Sequence, residues 1–177
     1  MQMYKINKAL DDNYMNHQMV KEAFPGEGKT LWRRRGSHLL VLTECSLANS
    51  LGDSDMIETL GEVVSNLERN LADKVPFTIR LNACKAQGHK RFCLPANEVE
   101  GWALNKLSGL GFEICSARVV NEGRVVSMRQ GKKNTHGSVV VDGVLKVVDR
   151  DALIRSLTSG IGHAKSYGFG LLDVFRC

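Results

Sequence analysis

The chain has 177 residues, 43% of them hydrophobic and only three prolines, and 24 Lys and Arg against 19 Asp and Glu give a formal charge of +5. That composition excludes a disordered or collagen-like chain and fits one ordinary domain, or two small ones, around a real core. No apolar run approaches the roughly 18 residues that span a bilayer, so no membrane partner is expected, while the positive balance favours a polyanionic one. The start, Met1 to Lys8, has no apolar h-region, which predicts no signal peptide and a cytoplasmic location. Cys45, Cys84, Cys93, Cys115 and Cys177 are odd in number and form no C-x-x-C pair, so neither a disulfide framework nor a zinc ribbon is suggested.

In chain order, residues 3–10 read as a weak first strand. Asp11-Asp12-Asn13 offers an N-cap for a helix that runs to Phe24 and stops at Pro25-Gly26. Leu31-Trp32-Arg33-Arg34-Arg35, a turn at Gly36-Ser37 and the apolar run 38–43 follow. Asp53-Ser54-Asp55 would cap a second helix, in which Met56, Ile57, Leu60, Val63, Val64, Leu67 and Leu71 recur at the helical period. Residues 77–82 alternate as a strand and complete a β-α-β-β-α-β order, that of the ferredoxin-like unit.

The second half repeats the order. Residues 91–94 read as a strand and 95–107 as a helix closed by Gly109 or Gly111. A strand over 112–120 comes next, then a hairpin turning at Asp142-Gly143. A helix capped by Asp149 or Asp151 precedes a glycine-rich loop and a last apolar strand. The expected fold class is α+β, two tandem ferredoxin-like domains of the RAMP or RRM-like kind. Residues 1–84 form the N-terminal one with the catalytic helix, and residues 85–177 the C-terminal one with the glycine-rich loop.

Two segments carry candidate chemistry. On the first helix, Met15, Met19, Val20, Ala23 and Phe24 share a broad side expected to be buried, and Tyr14, His17, Gln18 and Lys21 line up on the opposite stripe. Histidine both gives and takes a proton near neutral pH. The second segment is Gly160-Ile161-Gly162-His163-Ala164-Lys165-Ser166-Tyr167-Gly168-Phe169-Gly170. Its glycine spacing, its position and the residue before Lys165 fit neither a dinucleotide fingerprint nor a P-loop. Backbone amides gathered there, with Lys165, could cradle phosphate oxygens. A histidine helix facing such a loop suits phosphodiester cleavage. No spaced ligand cluster is visible, so neither a metal nor another cofactor is expected. The natural reaction class is a metal-free ribonuclease, in which the 2′-hydroxyl attacks the adjacent phosphorus and leaves a 2′,3′-cyclic phosphate and a 5′-hydroxyl.

Tyr14-x-x-His17 with Phe24-Pro25, and the run Gly160 to Gly170 followed by Leu171-Leu172, resemble the CasE family. These are the guide-RNA-processing endoribonucleases of the CRISPR type I-E Cascade system, within the RAMP group. Residues 75–83 with Lys90-Arg91, and 139–145, extend the resemblance over nearly the whole chain, and the C-terminal motif is its most specific part. The resemblance implies two tandem ferredoxin-like domains and metal-independent cleavage of precursor CRISPR RNA at the 3′ base of the repeat hairpin. It also implies that the product hairpin stays bound and that other Cascade subunits are partners. His17 matches the catalytic histidine, acting as acid on the departing 5′-oxygen or as base, and Tyr14 its partner; Lys165 would hold phosphate or the leaving strand. Candidate RNA contacts are Lys21, Arg33, Arg34, Lys85, His89, Lys90 and Arg91, with Gly160, Gly162, Ser166, Gly168 and Gly170 of the loop. The alternatives are a non-catalytic hairpin-binding homologue, serving as a capping or decoy subunit, and a small-molecule regulatory module.

Overall fold

Asp12 accepts hydrogen bonds from the amides of Tyr14 and Met15 and so starts α1 (Asn13–Ala23), as the sequence predicts. The computed structural model describes residues 1–49, 56–63, 65, 72–88, 90–129 and 131–174, with Lys90 and Arg129 by backbone alone. Around α1 lie β1 (Gln2–Ile6), β2 (Thr30–Arg35), β3 (His38–Thr43) and β4 (Ile57–Glu62), an antiparallel sheet in the order β2-β3-β1-β4. The second sheet is built from β5 (Lys74–Asn82), β8 (Phe112–Arg129), β9 (Lys132–Val147) and β10 (Leu172–Asp173), in the order β10-β5-β9-β8. Between β5 and β8 come a short hairpin, β6 (Cys84–Gln87) with β7 (Lys90–Cys93), and α2 (Ala96–Lys106); α3 (Arg150–Ser159) follows β9. Counted within its own unit, each sheet has the order 4-1-3-2 of a ferredoxin-like fold, so the expected class stands.

The fully apolar run of β3 is explained by burial on both faces. Leu40 and Leu42 join Met3, Ile79, Val141 and Leu172 in a core shared by the two sheets. Leu39 and Val41 face the other way, against Val20 and Ala23 of α1 and the Phe24 that follows it, with Tyr4 and Trp32.

Five sequence expectations are corrected. The helix expected from Met56 is a strand over Ile57–Glu62, paired with β1, and the backbone turns helical only at Val63. Asp53-Ser54-Asp55, Val64, Leu67 and Leu71 lie outside the described residues. The strand at 77–82 is not the last of the first unit but an inner strand of the second sheet, paired with β9 and β10. A division at residue 84 therefore cuts β5 from its sheet, and the change of sheet falls between β4 and β5. Residues 91–94, read as the first strand of the second unit, fall instead in the β6–β7 hairpin. Asp142-Gly143 is no turn: β9 runs straight through it, because Gly143 passes so close to the Ser116 carbonyl, at a bulge in β8, that a Cβ would collide with it. On α1, Met15 is exposed rather than buried, and Asn13 and Asn16 take the buried positions with Val20 and Ala23.

Candidate active site

β2 is an edge strand, and its edge is covered by the glycine-rich loop. Trp32, almost fully buried, donates its indole N–H to the Ser166 carbonyl at 3.2 Å. Gly168 lies flat on the same ring: with φ +79° and a would-be Cβ only 2.6 Å from Trp32, that position admits no side chain. The loop then closes on itself and on the second sheet, with Ile161 N–H donating to Gly170 O at 2.8 Å and Gly170 N–H to Arg80 O at 2.7 Å.

This packing brings the loop to α1. His17 and Ser166 line one cleft of about 250 Å³, together with Lys21, Thr30 and Trp32. The half-buried His17 ring sits between two tyrosines, 6.4 Å from Tyr14 and 6.3 Å from Tyr167 by ring centroids. Tyr167 in turn packs against His136 at a tilt of 40°, centroids 4.7 Å apart, and its hydroxyl accepts from Asn134 Nδ2 at 3.3 Å. His136 also packs on Phe169, beneath Arg80, and its Nε2 is buried without a hydrogen-bond partner. Burial pushes the His136 imidazole below its ordinary value, and the Arg80 charge adds to the effect. Tyr167 was in the glycine motif all along, but its ring position needed the loop conformation. His136 lies on β9, opposite Val125 of β8, a register only the sheet reveals.

Not every predicted loop contact survives. The amides of Gly160, Gly168 and Gly170 donate to Ser156, Lys165 and Arg80 carbonyls, so these three are engaged within the fold and form no amide cradle for phosphate. Lys165 does not line the cleft; its ammonium donates to the Ser159 carbonyl at 2.7 Å, at the C-terminal end of α3. Gly162 lines a separate hollow with Lys106 and Arg155.

A family model described as CRISPR associated protein matches residues 2–176. The chain belongs to that family. Among solved structures, CRISPR endoribonuclease Cse3 bound to 19 nt RNA is 22% identical with a TM-score of 0.76, covering 99% of this chain and 100% of its own. Thermus thermophilus Cse3, bound to an RNA representing a pre-cleavage complex, is 21% identical with a TM-score of 0.75 over 99% and 98%. CRISPR-associated protein Cas6e from Escherichia coli str. K-12 is 25% identical with a TM-score of 0.69 over the full length of both chains. No curated protein sequence matches significantly. The fold expected from the CasE resemblance is borne out.

In this CRISPR-associated protein the basic residues divide by environment. Lys85 is exposed on β6 and paired with Glu98 at 3.2 Å, and Arg91 is exposed on β7; His89 and the Lys90 side chain lie outside the described residues. The His163 imidazole is held below its ordinary value by partial burial first, then by the charges of Arg91, Lys106 and Lys165. Arg34 is engaged with the Leu10 and Gly36 carbonyls and with Asp11, pinning the entry to α1. Arg33 is buried, 3.5 Å from Asp173 of β10, and burial lowers its pKa. Neither guanidinium stands free on the outer surface. No described helix is long and apolar enough to cross a membrane.

Proposed function

We propose that this chain is an endoribonuclease that cuts precursor CRISPR RNA at the 3′ base of the repeat hairpin and stays bound to the product as a Cascade subunit. The observation that carries this reading is the meeting of His17 with the glycine-rich loop across one cleft, from elements almost a full chain length apart. The fold shared with RNA-bound Cse3 and with a Cascade subunit supports the substrate class.

In the reaction, the 2′-oxygen forms a bond to the adjacent phosphorus as the bond from phosphorus to the 5′-oxygen breaks. One proton passes overall from the 2′-oxygen to the 5′-oxygen, giving a 2′,3′-cyclic phosphate and a 5′-hydroxyl. His17 is the group placed to deliver that proton to the leaving oxygen or to take it from the nucleophile. Tyr14 and Tyr167 flank the ring and fix its orientation, and Lys21 brings a cation to the cleft rim for the phosphate. Lys165 reaches the phosphate only by leaving Ser159. The β6–β7 hairpin, with Lys85 and Arg91, and the Arg91, Lys106 and Lys165 charges beside the loop grip the stem through its backbone.

That engagement of Lys165 favours one second reading, a hairpin-binding relative that does not cut. Incubating the purified protein with a repeat hairpin in EDTA separates the two. A single cut at the 3′ base, with a cyclic phosphate on the 5′ fragment, is expected; tight binding of RNA that stays intact establishes the binder instead.

A further inference from the structure

A second cavity, of about 630 Å³, opens at the other end of α1, between its first turn, β2 and the β8–β9 side of the second sheet. Its polar wall is unusual in one respect. Asn13 Nδ2, Arg33 Nε and Nη1 and Arg35 Nη1 are all buried without a hydrogen-bond partner, and all four are N–H donors. Asn13 is 3% exposed and Arg33 9%. Buried donors left unpaired are costly and rare in folded proteins. Four such donors on residues of one cavity, whose wall carries four guanidinium groups, favour a guest rich in acceptor oxygens.

The carboxylates nearby do not meet that need. Glu122 is taken by Arg80 Nε at 3.0 Å and by Ser138, and Asp11 by Arg34 at 3.0 Å. Asp173 balances the charge of Arg33 at 3.5 Å, beyond good hydrogen-bond length. The guanidinium groups of Arg33, Arg34, Arg35 and Arg80 thus outnumber the carboxylates, and the cavity keeps a positive excess. A phosphate group, with several oxygens and a negative charge, matches both the donors and the charge.

Position supplies the source. Asn13 and His17 share one stripe of α1 and are a single turn apart, about 6 Å along the axis. We propose that this cavity holds a phosphate of the RNA strand, next along from the link cut beside His17. The phosphate chemistry stands on the cavity alone; its assignment to RNA rests on the proposed function.

The test uses two variants chosen to fold. Asn13→Asp replaces a donor by a charged oxygen of the same shape, at a first-turn position where an acid favours the helix. Arg35→Gln keeps a side chain of similar reach without the charge. Folding is checked by circular dichroism. Binding of a labelled repeat hairpin carrying single-stranded flanks is measured across a salt series, and thermal midpoints of RNA-free protein are compared in sodium phosphate and in sodium chloride of equal ionic strength. Both variants are expected to bind RNA about tenfold more weakly, the scale of one hydrogen bond to a charged group. Arg35→Gln should also flatten the salt slope by about one. Phosphate should raise the midpoint of the unaltered protein and not of the variants. Loss of the phosphate effect in the variants, with RNA affinity and slope intact, makes this a free-anion site and overturns the RNA assignment. No phosphate effect on the unaltered protein, with RNA binding equal in all three, means water fills the cavity and overturns the proposal outright. If the unaltered protein binds no repeat RNA, the functional reading has failed and the phosphate midpoints alone judge the cavity: no shift refutes it, and a shift that the variants lose upholds the phosphate site without the RNA.

Discussion

The two cavities at the ends of α1 differ in what their walls offer. The cleft at His17 is lined by aromatic rings, one imidazole and a rim lysine. The cavity at Asn13 is lined by guanidinium groups whose charge does not change at any working pH. One end carries an imidazole, the other a cluster of guanidinium groups. On the proposed function one helix thus carries a chemical end and a holding end, and the glycine-rich loop borders only the first.

The largest effect is expected from the substrate. A repeat hairpin with a 2′-deoxy sugar at the scissile position removes the nucleophile and should bind normally and resist cutting altogether, as gel analysis of single-turnover reactions will show. Cleavage there at the usual rate would detach the His17 cleft from 2′-hydroxyl chemistry.

Next comes the loop that makes the chemical end. Gly168→Ala forces a side chain into left-handed backbone at φ +79° and against the Trp32 ring. It should cost about 1–2 kcal/mol for the backbone alone, read as a lower denaturation midpoint, and should slow cleavage while leaving the arginine cavity intact. A variant as stable and active as the parent would show that the loop does not depend on that contact.

The smallest effect is on stability against pH. The His136 pKa is depressed in the fold by burial and by Arg80, from the ordinary 6.5. The unfolded chain then binds a proton that the folded one refuses. The contribution of His136 is therefore fully present above pH 6.5 and is lost as pH falls from 6.5 through the folded value. His38 and His163 are shifted the same way, so the acid slope is shared. His136→Phe, which keeps the ring packing against Tyr167, should flatten that slope in denaturation measured over mildly acidic pH; an unchanged slope removes His136 from the account.

How much of this was legible in the residues depends on whether the signal was local. α1 was, because Asp12, the helical period and Pro25-Gly26 are all local signals. The loop motif was legible as a motif, but its amides were misread, since their partners Ser156 and Arg80 belong to other elements. β4 was illegible because its apolar residues also fit a helix, and pairing with β1, with a bulge at Met3 and Tyr4, decided the matter. Asp142-Gly143 looked like a turn because nothing nearby in sequence tells of Ser116. The arginine cavity was hidden for the same reason. Arg33 and Arg35 point to one side of β2, and only the packing of the second sheet buries them.

The central claim is that the imidazole of His17 performs the proton transfer. It is tested most directly by single-turnover cleavage of the repeat hairpin at saturating protein, comparing His17→Ala with the parent while hairpin affinity is measured in parallel. The account predicts a rate lower by roughly 10²–10⁴ with affinity nearly unchanged. A variant that cuts at the parental rate would contradict it.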